Sequence, residues 1–183
     1  MILEIATFDH PALRTPGTHI DKIDKSLHSL VADMIDTMVE AEGLGLAAQQ
    51  VGLPFQLFVL DVPPIKKRPS AMRMNGKPVE FSQHMPIALL NSEVTPFGRT
   101  YTESEGSLSF PEISVHVSRP FSVKVKATTL AGDTLEFEAD GLLARAIQHE
   151  RDHTRGILFI DHATEEDRDE FPEAVRRLIR PIL

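Results

Sequence analysis

Between Val115 and Asp140 the chain alternates, and at Asp140 the alternation stops. "VHV", "VKVKA" and, after the turn residues "AGD", "LEFEA" put apolar side chains at every second position. Successive side chains of a strand face opposite sides, so this stretch predicts an antiparallel hairpin with one buried face. From Asp140 the period becomes helical, with Leu142, Leu143, Ala146 and Ile147 on one face. Asp140 is a natural N-cap, and Gly156 a natural left-handed residue after the last turn.

The remaining elements are read around that junction. Pro11, Pro16 and Gly17 mark residues 9–20 as loop. Ile23, Leu27, Leu30, Val31, Met34, Ile35 and Met38 recur at helical spacing, with Asp21 or Asp24 as the cap. This helix is expected to end near Glu42, where "GLGLAAQQVG" begins. "FQLFVLDV" (55–62) and "IALLNSEV" (87–94) read as strands. Residues 63–86 hold five prolines, and five basic residues against one acid. They are expected to leave the domain as a long hairpin or a solvated loop. Residues 164–183 read as short helices with acids first and arginines last, which suits the helix dipole. Helix, many strands, helix is an α+β order, here a single domain over 1–183 with antiparallel strands packed around a central helix.

Composition narrows the function. With 42% apolar residues and 25% charged, a chain of 183 residues builds a packed core. A net charge of −8 argues against wholesale nucleic-acid binding and against an anionic membrane surface, while leaving room for a local basic patch. No run approaches the roughly 20 apolar residues of a membrane span. The start, "MILEIATFDHPALRTP", does not read as a signal peptide. There is no cysteine, so disulfides and thiolate metal sites are excluded. These features suit a cytoplasmic protein.

The chemistry concentrates in "QHERDH" (148–153). His149 and His153 are four apart on the predicted helix and project from one face. Two neutral imidazoles so placed grip one divalent metal, and Glu150 beside them takes a proton from bound water. The bland alternative is one core histidine and one solvated one. Asp152 reads either as an exposed helix carboxylate or as a group that orients a ligand. Two histidines are one protein ligand short of a catalytic zinc site. Glu173 is one candidate third ligand, as in zinc endopeptidases, though it also reads as an ordinary surface acid. A remote loop is the other.

Three ordered segments, "GLGLAAQQ" (43–50), "EGSLS" (105–109) and "QHERDH", resemble those of the peptide deformylases. "DHPALRTP", "EADGLLARAIQHE" and "GILFID" extend the resemblance over roughly residues 8–162. It implies hydrolysis of the N-formyl group from nascent chains that begin with formyl-methionine. It implies one divalent metal ion, Fe²⁺ in the family and Zn²⁺ or Ni²⁺ plausible here, held by His149, His153 and the residue at position 107. Glu150 would move the proton, and the Gln50 amide with the Leu108 backbone N–H would hold the oxyanion. Gly43 and Gly45 would let an extended peptide approach. Leu44, Leu142 and Ala146 would line an apolar pocket for methionine, although plain core packing explains them equally. Glu105 and Arg119 match a structural pair. The partners implied are nascent polypeptides and the ribosome near its exit tunnel, the latter through the basic 63–86 segment or Arg176, Arg177 and Arg180.

Ser107 stands where the family carries a cysteine ligand. A thiolate is a charged, soft donor, whereas a serine hydroxyl is neutral near pH 7. Metal binding is therefore expected to be weakened rather than abolished, with zinc or nickel retained better than ferrous iron. An inactive member that binds formyl-Met ends is the alternative of another class. Thr154 (a leucine in the family), Ser114 (an arginine in some members) and the long 63–86 segment are smaller departures.

Overall fold

The computed structural model describes residues 1–182. Helix α1 (Lys25–Glu40) starts where Asp24 accepts a hydrogen bond from the Leu27 amide. Short strand β1 (Gly45–Ala47) follows, then β2 (Leu57–Leu60), whose four residues are all buried. A hairpin, β3 (Ser70–Met74) and β4 (Lys77–Val79), turns at Asn75 and Gly76, both at positive φ. Strands β5 (Ile87–Ser107) and β6 (Phe110–Thr128) are long, and β7 (Thr134–Asp140) leads straight into helix α2 (Gly141–Thr154). Short helices α3 (Glu165–Glu170) and α4 (Glu173–Arg176) end the described chain. Among the described residues no helix is long and apolar enough to cross a membrane.

All seven strands form one antiparallel sheet in the order β1-β2-β5-β6-β7-β3-β4. The α+β expectation and the hairpin ending at Asp140 are met. The predicted excursion at 63–86 is corrected in part. It does contain a hairpin, but β3 pairs with β7, and Met72 and Phe81 are buried in the core. Arg73, Lys77 and Pro78 lie in the hairpin strands themselves, while Ile65 stays exposed.

Helix α2 runs through the interior. Leu142, Leu143, Ala146 and Ile147 pack against Phe58, Leu60, Val123, Val125 and Ala139 of the sheet. Helix α1 packs Leu27, Val31, Met34 and Met38 against Leu46, Leu57, Val59 and Leu90. A third cluster gathers Leu13, Phe110, Val115, Val117, Phe159 and Ile160.

The start of α2 departs from expectation. Asp140 occupies the N-cap position, but its side chain makes no capping bond. Its carboxylate instead accepts both arms of Arg73 and the Ser122 hydroxyl. Ser70 caps the helix from outside, accepting from the Leu143 amide. Gly141 has φ +68°, and a Cβ there would lie 2.0 Å from the Pro69 carbonyl oxygen, so the turn requires glycine. At the far end Gly156 has φ +71° and closes the helix as expected.

Candidate active site

The β5–β6 connection and the outer face of α2 meet over β1. Ser107 pairs with Phe110 across a two-residue turn, and a register shift between Glu105 and Ser107 leaves Gly106 unpaired. The bulge faces a cavity of about 380 Å³. The cavity is lined by Gly43, Leu44, Gly45, Gln50, Ser107, Leu108, Leu142, Ala146, His149 and Glu150, so ten of the eleven expected site residues share one space. The eleventh, His153, is buried beside it, its ring centroid 5.1 Å from that of His149.

Each polar group has an identifiable holder. Gln50 accepts a hydrogen bond from the Ala47 amide through its side-chain oxygen, at 2.9 Å. That fixes which way the amide points. Its NH₂ lies 3.4 Å from the Ser107 hydroxyl and 3.3 Å from that of Ser109. The Ser107 hydroxyl also accepts from the Ser109 amide at 3.3 Å. Glu150 packs directly on Gly45, where a Cβ would fall 2.6 Å from a carboxylate oxygen.

Glu105 is the group whose role the sequence did not disclose. One oxygen accepts from Arg119 Nε (2.6 Å) and Arg145 Nη1 (2.8 Å). The other accepts from Arg119 Nη2 (2.9 Å) and from His149 Nδ1 (3.0 Å). Burial pushes this carboxyl up, but the hydrogen bonds from His149 and Arg119 win and hold it well below the usual carboxylate range. An ionised carboxylate only accepts, so His149 Nδ1 carries the proton and Nε2 is the free ring nitrogen. The Glu105–Arg119 pair expected to be merely structural therefore sets a histidine tautomer.

Asp152 does not orient His149 or His153. It accepts from Arg119 Nη1 at 2.8 Å and lies 2.9 Å from His162 Nε2, so it braces the arginine instead. Glu173 is not a third ligand. It is exposed on α4 and paired with Arg177 one turn on, outside the cavity.

Burial sets the remaining charges. Glu150 is pushed up to about 7, chiefly because its carboxyl is desolvated. A group so poised both accepts and returns a proton near neutrality. His153 is driven well below its ordinary value, first by burial and then by His149. It is a neutral imidazole, and neither ring nitrogen has a hydrogen-bond partner. One Glu150 oxygen is likewise buried without a partner. Buried polar atoms are rarely left so. A neutral, unpartnered imidazole beside a tautomer-locked one is a donor set that fits a divalent cation. Even so, among the described residues no three His, Cys, Asp or Glu side chains form a cluster able to hold a metal ion. Position 107, which lines the cavity, is a serine and not one of these residue types.

Known proteins resemble this chain in sequence and fold. The sequence pattern of the polypeptide deformylase family matches residues 2–169. The peptide deformylase of Methylacidiphilum infernorum is 43% identical over 180 residues, covering 98% of this chain and 94% of that protein. That of Acinetobacter baumannii is 38% identical over 180 residues, covering 98% and 93%. The crystal structure of a Synechococcus elongatus peptide deformylase in complex with actinonin superposes with a TM-score of 0.81 at 32% identity, covering 98% of this chain and 91% of that one. Arabidopsis thaliana peptide deformylase 1B, bound to an inhibitor, gives 0.80 at 35%, covering 96% and 90%.

Proposed function

This chain belongs to the polypeptide deformylase family, and from that premise we propose that it hydrolyses the N-formyl group of formyl-methionyl nascent chains, releasing formate. The observation that supports this most is the meeting of Gln50, Ser107, Leu108, His149 and Glu150 around one cavity. In this reading His149 and His153 hold one divalent metal, with Ser107 at the third position. When bound, the metal supplies a Lewis acid that acidifies water and polarises the formyl oxygen.

The chain's own residues do the rest. β1 is the edge strand of the sheet, so its outer side is open to an extended peptide. Gly43 and Gly45 keep that edge low, and Leu44, Leu142 and Ala146 receive the methionine side chain. Glu150 takes the proton of the attacking water and returns it to the departing amine. The Gln50 amide and the Leu108 N–H stabilise the oxyanion, each contributing about 3 kcal/mol. Glu105 holds His149 in one tautomer. The substrate is the chain emerging from the ribosome, in the cytoplasm, and Arg176, Arg177 and Arg180 are the basic groups offered to that larger partner.

Formate release from formyl-Met-Ala-Ser, assayed with Fe²⁺, Ni²⁺, Co²⁺ or Zn²⁺, tests the reading. Turnover is expected in this chain and more in Ser107→Cys, and none in either with any metal would refute it. A second reading, a formyl-Met binder without activity, is favoured by one contact: the Gln50 amide already faces the Ser107 hydroxyl. Tight peptide binding without formate release, in both proteins, would establish it.

A further inference from the structure

The cavity has a polar end that the expectation of an apolar methionine pocket did not include. Leu142, Arg145, Ala146 and His149 lie on one face of α2, and all four line the cavity. His149 marks the reactive end. At the Leu142 end stands Arg68, delivered by the segment between β2 and β3. That segment is clamped to the helix: the Pro69 carbonyl accepts from the Leu142 amide, and Ser70 from that of Leu143. Arg68 is thus fixed beside the side-chain pocket rather than waving in solvent.

Its guanidinium is oriented and only partly used. Nε and Nη2 both donate to one oxygen of Glu103, at 3.0 and 2.7 Å. Nη1 has no partner among the described residues. Arg145 is different, because each of its three nitrogens donates, to Glu105, Tyr101 or the Val117 carbonyl. Arg68 therefore lines the Leu142 end of the cavity with a partly exposed guanidinium whose Nη1 no described residue engages. Glu103 balances the charge of Arg68 and would repel a carboxylate, so the pocket suits a neutral acceptor.

Resting on the deformylase reading, we propose that Arg68 is a specificity-determining residue that hydrogen-bonds a neutral acceptor at the tip of the first side chain. The ligand class is an N-formyl residue of methionine shape with such an acceptor, and methionine sulfoxide is the member that differs from methionine by one oxygen. A thioether sulfur is a weak acceptor, whereas a sulfoxide oxygen is a strong one. The site then processes chains whose initiator methionine has been oxidised as well as those in which it has not.

The test is the ratio of two affinities, Met(sulfoxide)-Ala-Ser over Met-Ala-Ser, the deformylated peptides that are not turned over, measured by calorimetry on the metal-loaded full chain and repeated in Ser107→Cys. The wild type should bind the sulfoxide at least as tightly as the thioether. Arg68→Met should lower the ratio by about tenfold, the worth of one hydrogen bond from a charged donor. Arg68→Lys should fall between, since it keeps the charge and loses the fork. A ratio unmoved by Arg68→Met would overturn the assignment while leaving the deformylase reading intact. A wild type that rejects the sulfoxide peptide would do the same. Failure of the thioether peptide to bind either protein would instead bring down the reading underneath.

Discussion

Replacing Glu105 by glutamine should damage both the fold and the proposed metal site, by amounts that can be worked out from its contacts. The Glu105 side chain is 5% exposed, and the two guanidinia it neutralises, Arg119 and Arg145, are 4% and 3% exposed. Every one of its four partners is a donor: Arg119 Nε and Nη2, Arg145 Nη1 and His149 Nδ1. Glutamine keeps the shape but turns an NH₂ toward donors, with nothing to accept it. Breaking a buried ion pair by removing one partner typically costs about 3–5 kcal/mol, because the remaining charge stays buried. At about 2–4 °C per kcal/mol for a domain of this size, Tm should drop by roughly 6–20 °C.

The same change frees His149 to flip its tautomer. Loss of such a hydrogen-bonding carboxylate typically weakens metal binding by about 10–100-fold. Glu103→Gln is the control. Its bond to Arg68 joins groups that are both about one-third exposed, and such pairs contribute at most about 1 kcal/mol. Thermal melts followed by circular dichroism, with metal content measured after identical purification, separate the two variants. A Glu105→Gln protein that melts with the wild type and retains as much metal would refute the reasoning.

Ser107→Cys should raise metal occupancy and formate release by at least about tenfold, since it restores an anionic ligand; equal values in the two proteins would remove position 107 from the ligand set. Gly45→Ala should cut kcat by about 100-fold, because its Cβ would displace the Glu150 carboxylate and small misplacements cost that much; an unchanged kcat would mean that Glu150 is not the proton carrier. Asp140 gives an acid limb to stability. Its hydrogen bond from Arg73 lowers its folded-state pKa below the ordinary 3.8. Its contribution is therefore complete above about pH 4 and lost as pH falls through the lower folded value. Urea midpoints measured down to pH 2 should fall less steeply in Asp140→Asn, and parallel curves would dismiss the linkage.

What the sequence made legible follows from the range of each interaction. His149, Glu150 and His153 were readable because helical spacing alone puts them together, and Asp24 and Gly156 because caps are local. Ser107 and Gln50 were placed by the order of motifs, and the cavity gathers them as that order implies. Asp140 holds the N-cap position as its sequence suggests, but its side chain is claimed at longer range: Arg73 takes the carboxylate across β3 and β7, and Ser70 accepts from the helix instead. Asp152 was misread for the same reason, since Arg119 and His162 reach it from other elements. Glu105 shows the limit most clearly. Its four hydrogen bonds go to residues between 14 and 44 positions away, and no pattern in "EGSLS" reports them.

Arg68 carries the same lesson into specificity. A run of prolines and charges between strands reads as solvated loop, because nothing within it demands burial. What anchors it lies elsewhere, in the Gly141 turn, which is open enough to let the Pro69 carbonyl approach α2. One glycine at the start of α2 thus lets a distant segment dock there and bring Arg68 to the pocket wall. Any side chain at position 141 would drive that segment off the helix. Gly141→Ala should therefore act at a distance, widening the pocket at the Leu142 end and removing the preference for a sulfoxide, while His149 and Glu150, two turns along the same helix, keep their partners in Glu105 and Gly45. Peptide affinities and metal content measured side by side on that variant check the separation. Loss of metal together with loss of discrimination would mean that the two ends of α2 are not independent, and the division of the cavity into a reactive end and a recognition end would fail with it.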